Sequence, residues 1–178
     1  LRVTLTLANG DDVLLYGVHP EPPVVHYDTI GRDSEIALVG LEVSTATLPV
    51  IVTGDLNDVA WSSTTRRFQR LSGLLDPRVG RGFYNTFHAS VPFLRWPLDH
   101  LFHGPRFRLL SMRRLPHIGS DHFPILFSLL LANGQAGHEE IDDAPQEERA
   151  EVREMIRAEQ ARARDPIGAD WEDDDGSR

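Results

Sequence analysis

The 178-residue chain contains no cysteine and no lysine; all 18 of its basic residues are arginine. Without cysteine, disulfides and thiolate metal sites are excluded. Arginine suits bidentate phosphate binding, but its exclusive use throughout the chain is read here as compositional bias. No apolar run reaches the roughly 18 residues needed to span a bilayer. The chain begins at Leu1 in a strand-like pattern, with neither Met nor a signal peptide ahead of it, so the expectation is a piece of a longer protein.

Charge is unevenly shared. Residues 1–132 are balanced between acid and arginine, and residues 133–178 carry the whole formal charge of −9. The acidic balance therefore says nothing against an anionic ligand for the first segment. Two regions are expected: a folded unit over 1–132, and an acidic, largely disordered tail over 133–178. Within the tail, residues 145–164 are rich in Ala, Glu and Arg, with Val152, Met155, Ile156 and Ala163 as a thin apolar stripe. Glu147 and Glu151 repel at helical spacing, which predicts a marginal, solvated helix frayed at both ends.

Residues 1–8 alternate apolar and polar side chains, the period of a strand. Asn9-Gly10 signals a hairpin turn, and residues 13–18 read as the returning strand, followed by His19 and a Pro-rich loop from Pro20. Residues 34–45 predict a helix capped by Asp33 or Ser34. The short apolar run at 49–53 predicts a buried strand. Ser62 or Ser63 opens a helix that Gly73 stops. Residues 83–89 are aromatic and irregular. Strands are expected at 98–102, 107–113 and 123–130. The order β-β-α-β-α-β-β-β predicts an α/β fold with one mixed sheet and flanking helices.

Four motifs could carry chemistry. Gly54-Asp55-Leu56-Asn57-Asp58 follows the buried strand and places hard oxygen ligands at its end, a set suited to Mg²⁺ or Mn²⁺; an Asx-rich turn is the alternative. Gly119-Ser120-Asp121-His122 joins an acceptor to a titrating group, as acid–base work requires, or is a locally bonded loop. Leu98-Asp99-His100 puts a carboxylate in an apolar strand, where burial is costly unless it is paired; alternation leaves open which face it takes. Val18-His19-Pro20 ends a strand, and His19 could lean over a phosphate or serve structure alone. Arg95, Arg113 and Arg114 could add positive charge or simply be solvated.

Together, in this order, the four motifs resemble the endonuclease/exonuclease/phosphatase superfamily, in which a His-ended strand precedes Gly-Asp-x-Asn, then x-Asp-His/Tyr, then Ser-Asp-His. The resemblance covers residues 1 to about 131. It implies half of a four-layer α/β-sandwich, specifically the C-terminal half, and metal-dependent hydrolysis of a phosphodiester or phosphomonoester. It implies that Asp55 and Asn57 bind metal or position water and phosphate, and that Asp121 is a further ligand. His122 would be the general base or phosphate contact, Asp99 its orienting partner, and His19 a contact to phosphate oxygens. The early Asn and metal-binding Glu of the family have no counterpart here, since Glu21 and Glu35 follow no buried strand. The implied partners are the missing N-terminal half and a phosphate-ester substrate: nucleic acid, lipid head group or small molecule. No specific protein partner is implied, and this chain alone is expected to be inactive. A catalytically degenerate module that binds phosphate or a partner is the alternative. The His-Pro and Pro-rich loop resemble a bacterial group whose members often carry hydrophobic N-terminal segments, which implies a membrane-associated parent.

Overall fold

The computed structural model describes residues 1–22, 28–132, 134 and 141–162. The far end of the Pro-rich loop, Asn133 and the acidic residues from 163 onward lie outside them.

The two opening strands, β1 (Arg2–Thr6) and β2 (Asp12–Gly17), form an antiparallel hairpin. Gly10 adopts φ +89° at the turn, and the Asn9 amide donates to the Asp11 carboxylate. A crossover through α1 (Ile30–Val43) then brings β3 (Val50–Asp55) parallel to β2. β4 (Asp99–His103) pairs antiparallel on the far side of β3, giving the sheet order β1-β2-β3-β4. This is the expected mixed sheet with flanking helices. The last two strands, β5 (Phe107–Arg114) and β6 (Ile125–Leu131), form a separate two-stranded antiparallel ladder.

Side-chain alternation decides the packing. Leu14, Tyr16, Val50, Val52 and Phe102 point from one sheet face into a core closed by Ile36 and Val43 of α1 and by Phe68 of α2 (Ser63–Ser72). α2 starts and stops as its residues predict: the Ser62 hydroxyl accepts from the Thr65 N–H, and Gly73 takes the left-handed conformation at its end. α1 starts four residues earlier than expected. The Asp28 side chain accepts from the Ile30 N–H, and Ser34, expected as a cap, is instead buried. The caps at Asp33 or Ser34 are thus replaced by a turn that the Asp28 carboxylate begins.

The tail helix also departs from expectation. α3 (Gln146–Gln160) is docked rather than solvated: Val152 is fully buried, with Ile156, against Ala37 of α1 and Leu71 of α2. Burying one such side chain is worth about 2 kcal/mol. Glu148 accepts from both Arg67 and Arg70, the latter at 2.6 Å, and the Arg70 contact holds the Glu148 carboxyl below its usual range. Glu151, expected to repel Glu147, faces Arg67 of α2 at 3.5 Å. Among the described residues no helix is long and apolar enough to cross a membrane.

Candidate active site

One edge of the sheet collects the motif residues, because β3 ends there while β4 begins. Asp55 and Asp99 are cross-strand partners. Gly54 explains how β2 reaches the same place. Its φ is +146°, and a Cβ there would lie 1.9 Å from the Val18 carbonyl oxygen. Only glycine lets the two backbones touch, and the Val18 N–H donates to the Thr53 carbonyl at 3.0 Å. His19, one residue on, therefore sits beside Asp55, with its Nε2 3.9 Å from the carboxylate.

The Asp55 carboxylate accepts from the Asn57 N–H at 2.8 Å, which closes a tight turn. Asn57 occupies the left-handed region at φ 50°, a conformation that Asn tolerates better than most residues. Its side-chain amide donates to the Pro20 carbonyl at 3.0 Å, and its own carbonyl accepts from Arg32 at 2.8 Å. Arg32 also faces Asp58, which is buried and bonded to the Ser62 hydroxyl.

His122 is brought in by the loop before β6. Its Nδ1–H donates to the Asp99 carboxylate at 2.7 Å, while Nε2 faces Asp55 at 3.6 Å. The Phe87 ring lies 5.0 Å from the imidazole, and the two backbones form an isolated bridge. The Asp99 N–H donates to the Thr86 hydroxyl, whose residue is fully buried. Burial pushes the His122 ring down, but the hydrogen bond and charge of Asp99, with Asp55 and Asp121 nearby, outweigh it and hold the pKa above the ordinary histidine value. Burial raises the Asp55 pKa, and the charge of Asp99 adds to the rise against the Asn57 N–H and the two histidines.

The structure thus brings His19, Asp55, Asn57, Asp99 and His122 to one rim. Asp121 is exposed beside them; its carbonyl accepts from the Ala89 N–H at 2.6 Å and its carboxylate from the Ser120 hydroxyl at 3.4 Å. Among the described residues, no group of three or more His, Asp or Glu side chains is close enough to hold a metal ion. Asp55 on its own fits a hard cation: it is a part-buried carboxylate disfavoured by its surroundings, with histidines rather than an arginine beside it. A cleft of about 340 Å³ opens next to this rim between the two ladders, lined by Gly54, Asp99, His122, Phe123 and Phe127 among others.

A second layer went unnoticed in the sequence. Arg78 and Asp76, both buried, form a bidentate ion pair with contacts of 3.0 and 2.8 Å. Arg78 also donates to the Asp99 carbonyl at 3.2 Å and to Nδ1 of His100 at 2.7 Å. His100 in turn donates from Nε2 to the Asp58 carbonyl at 2.9 Å. The network ties the backbone of Asp99 to the loop that carries Asp55 and Asn57. Only the cost of burying charge in an otherwise apolar stretch could have signalled it.

A family model described as "Endonuclease/Exonuclease/phosphatase family" matches residues 2–122. No curated protein sequence matches the chain. Among solved structures, an endonuclease/exonuclease/phosphatase family protein from Bacteroides thetaiotaomicron is 22% identical with a TM-score of 0.58, over 68% of this chain and 51% of that one. The mannosyl-6-phosphatase Bt3783 of the same organism is 22% identical with a TM-score of 0.53, over 68% and 52%. The D. rerio TDP2 structure complexed with single strand DNA product is 19% identical with a TM-score of 0.58, over 72% and 60%. The chain spans about half to three-fifths of the length of these structures.

Proposed function

Because the chain belongs to the endonuclease/exonuclease/phosphatase family, we propose that the protein of which it forms part hydrolyses phosphoester bonds by water attack, assisted by Mg²⁺ or Mn²⁺. The observation that carries this reading is the line Asp99–His122–Asp55, with contacts of 2.7 and 3.6 Å. A carboxylate holds one ring nitrogen, which leaves the other aimed at the rim where a phosphate would sit. His122 exchanges a proton with the attacking water or leaving group through Nε2, and Asp99 stabilises the imidazolium. His19 contacts the phosphate oxygens from the other side of Asp55. Asp55 would hold the cation, with Asn57 and Asp121 as further oxygen donors; when bound, the ion would draw off charge developing on the phosphate. The rest of the domain, N-terminal to Leu1, would supply the family's early Asn and Glu and cover the exposed apolar side chains of β5 and β6, such as Leu110 and Leu130.

Substrate is proposed only at the level of chemistry. One similar structure is a sugar phosphatase by name and another holds a DNA product; what they share is a phosphoester.

The test is hydrolysis of bis(p-nitrophenyl) phosphate by the parent protein, which includes the rest of the domain, with Mg²⁺ or Mn²⁺. EDTA should abolish turnover and added Mn²⁺ should restore it. Undiminished turnover in chelator would remove the metal-assisted reading. Phosphate binding without turnover in either metal would favour a binding module that has lost catalysis.

A further inference from the structure

Two cations near the site have no role in the chemistry above. The guanidinium carbon of Arg114 lies 4.3 Å from the centre of the Phe123 ring, and that of Arg95 lies 5.1 Å from it. Phe123 directly follows His122 and lines the cleft beside Asp99. Arg114 closes β5, a strand that runs toward the same edge as Asp55 and Asp99, and donates to the Asn85 carbonyl at 2.9 Å. Arg95 sits in the loop leading to β4, and its Nε–H is buried without an acceptor among the described residues.

Neither arginine forms an ion pair with a carboxylate among the described residues. Arg2, Arg32, Arg67, Arg70, Arg78 and Arg162 do; what sets Arg95 and Arg114 apart from the other unpaired arginines is that both lie over one ring at the cleft. Two like charges drawn to one ring repel each other, and the ring's quadrupole offsets only part of that. An anion between or beside them would remove the repulsion and give the Arg95 donors an acceptor.

We propose that Arg95 and Arg114 form a second anion subsite, taking the non-scissile phosphate of a substrate that carries two. The proposal rests on the phosphoester reading for what happens to the other phosphate, but anion capture does not depend on turnover. The second phosphate could be the neighbouring phosphate of a nucleotide or that of a sugar bisphosphate. Guanidinium forks grip either in the same way.

Binding to the full chain, measured by calorimetry, tests this without requiring hydrolysis. Thymidine 3′,5′-bisphosphate is compared with thymidine 5′-monophosphate, and fructose 1,6-bisphosphate with fructose 6-phosphate. The wild-type chain should prefer at least one bisphosphate by roughly tenfold, the scale of one added charge-assisted contact pair. Which pair shows the preference tells whether the phosphate spacing is that of a nucleotide or a sugar. Arg95→Gln and Arg114→Gln should each bring the preference toward one, and Arg95→Lys should retain most of it. Arg108→Gln, a change at an exposed arginine elsewhere on β5, should leave it intact. Equal affinity for mono- and bisphosphates in the wild type would overturn the subsite. So would glutamine variants that weaken both ligands alike, since that marks the arginines as mere support for the loop. Absent turnover of bis(p-nitrophenyl) phosphate by the parent protein, by contrast, would sink the hydrolase reading and leave the binding preference to stand or fall alone.

Discussion

Two histidines meet the same aspartate and are treated in opposite ways. His100 follows Asp99 in the chain, yet it points into the protein, accepts from Arg78 and donates to the Asp58 carbonyl. Burial, with the Arg78 charge beside it, lowers its pKa to about 3, so it stays neutral. His122 lies 23 residues away from Asp99 and shares its carboxylate at 2.7 Å. That ring is part-exposed, its two nitrogens face the carboxylates of Asp99 and Asp55, and it is pushed toward the charged form. The residue type is the same; surroundings divide it into a fixed strut and a titrating group. The comparison teaches that adjacency in sequence is a poor guide to which histidine works with an acid.

The sharpest way to break the strut is Arg78→Met. It leaves the Asp76 carboxylate buried without a cation, a situation that costs roughly 3–5 kcal/mol. Urea unfolding of the full chain should show that loss. Adding Asp76→Asn should recover part of it, because the two charges are coupled. A loss near zero would mean that the ion pair contributes nothing to the fold.

Next in size is the titrating side. In the parent protein, His122→Ala should lower turnover by roughly a hundredfold or more, the scale of a lost acid–base group, while barely altering the unfolding midpoint. Asp99→Asn should cost less, and the double variant little more than His122→Ala alone, as for groups acting as one unit. Additive losses in kcat would show that the contact is incidental.

The smallest effects lie in the pH dependence of stability, measured in EDTA, and here the two rings should differ in sign. His100 has its folded pKa below the ordinary value near 6.5. Its contribution is present above pH 6.5 and drains away as pH falls toward 3. His122 has its folded pKa raised. Its contribution is full below about pH 6.5 and is lost as pH rises through the folded value. Replacing His100 by Asn should therefore flatten the acid limb, and His122→Ala the limb above neutrality. The same limb moving in both variants would refute the division of roles.

Much of the rim was legible because its residues occur as short motifs at strand ends, where a strand's direction fixes where a side chain arrives. Asp55 and Asp99 needed only the antiparallel pairing of β3 and β4 to meet. The face of Asp99 could not be read from alternation, because both faces of β4 are covered: His100, Leu101 and Phe102 are all buried. The Asp76–Arg78–His100 network has no period and no motif, and charge in a loop reads as solvated until a strand is laid over it. α3 was misread for a related reason. Its apolar stripe at Val152, Met155 and Ile156 was visible, but the arginines that neutralise Glu148 come from a helix some eighty residues earlier, and no local window contains both. α3 packs against α1 and α2 of the first segment.

The contact between Gly54 and the Val18 carbonyl has a consequence for the order in which the molecule becomes competent. β2 and β3 are parallel, so they can pair only after the chain from Gly17 to Val50 has looped over the sheet through α1. Closing that loop costs chain entropy before any long-range contact offsets it. His19 and Asp55 lie just beyond the last pair of this ladder, Gly17 with Thr53, and are held together by the backbone approach at Gly54. The rim is therefore expected to form late in folding, since it also needs β3 to pair with β4 across the still longer stretch from Asp55 to Asp99. During refolding, helical signal should return first, and the ability to bind phosphate should follow as a separate, slower phase.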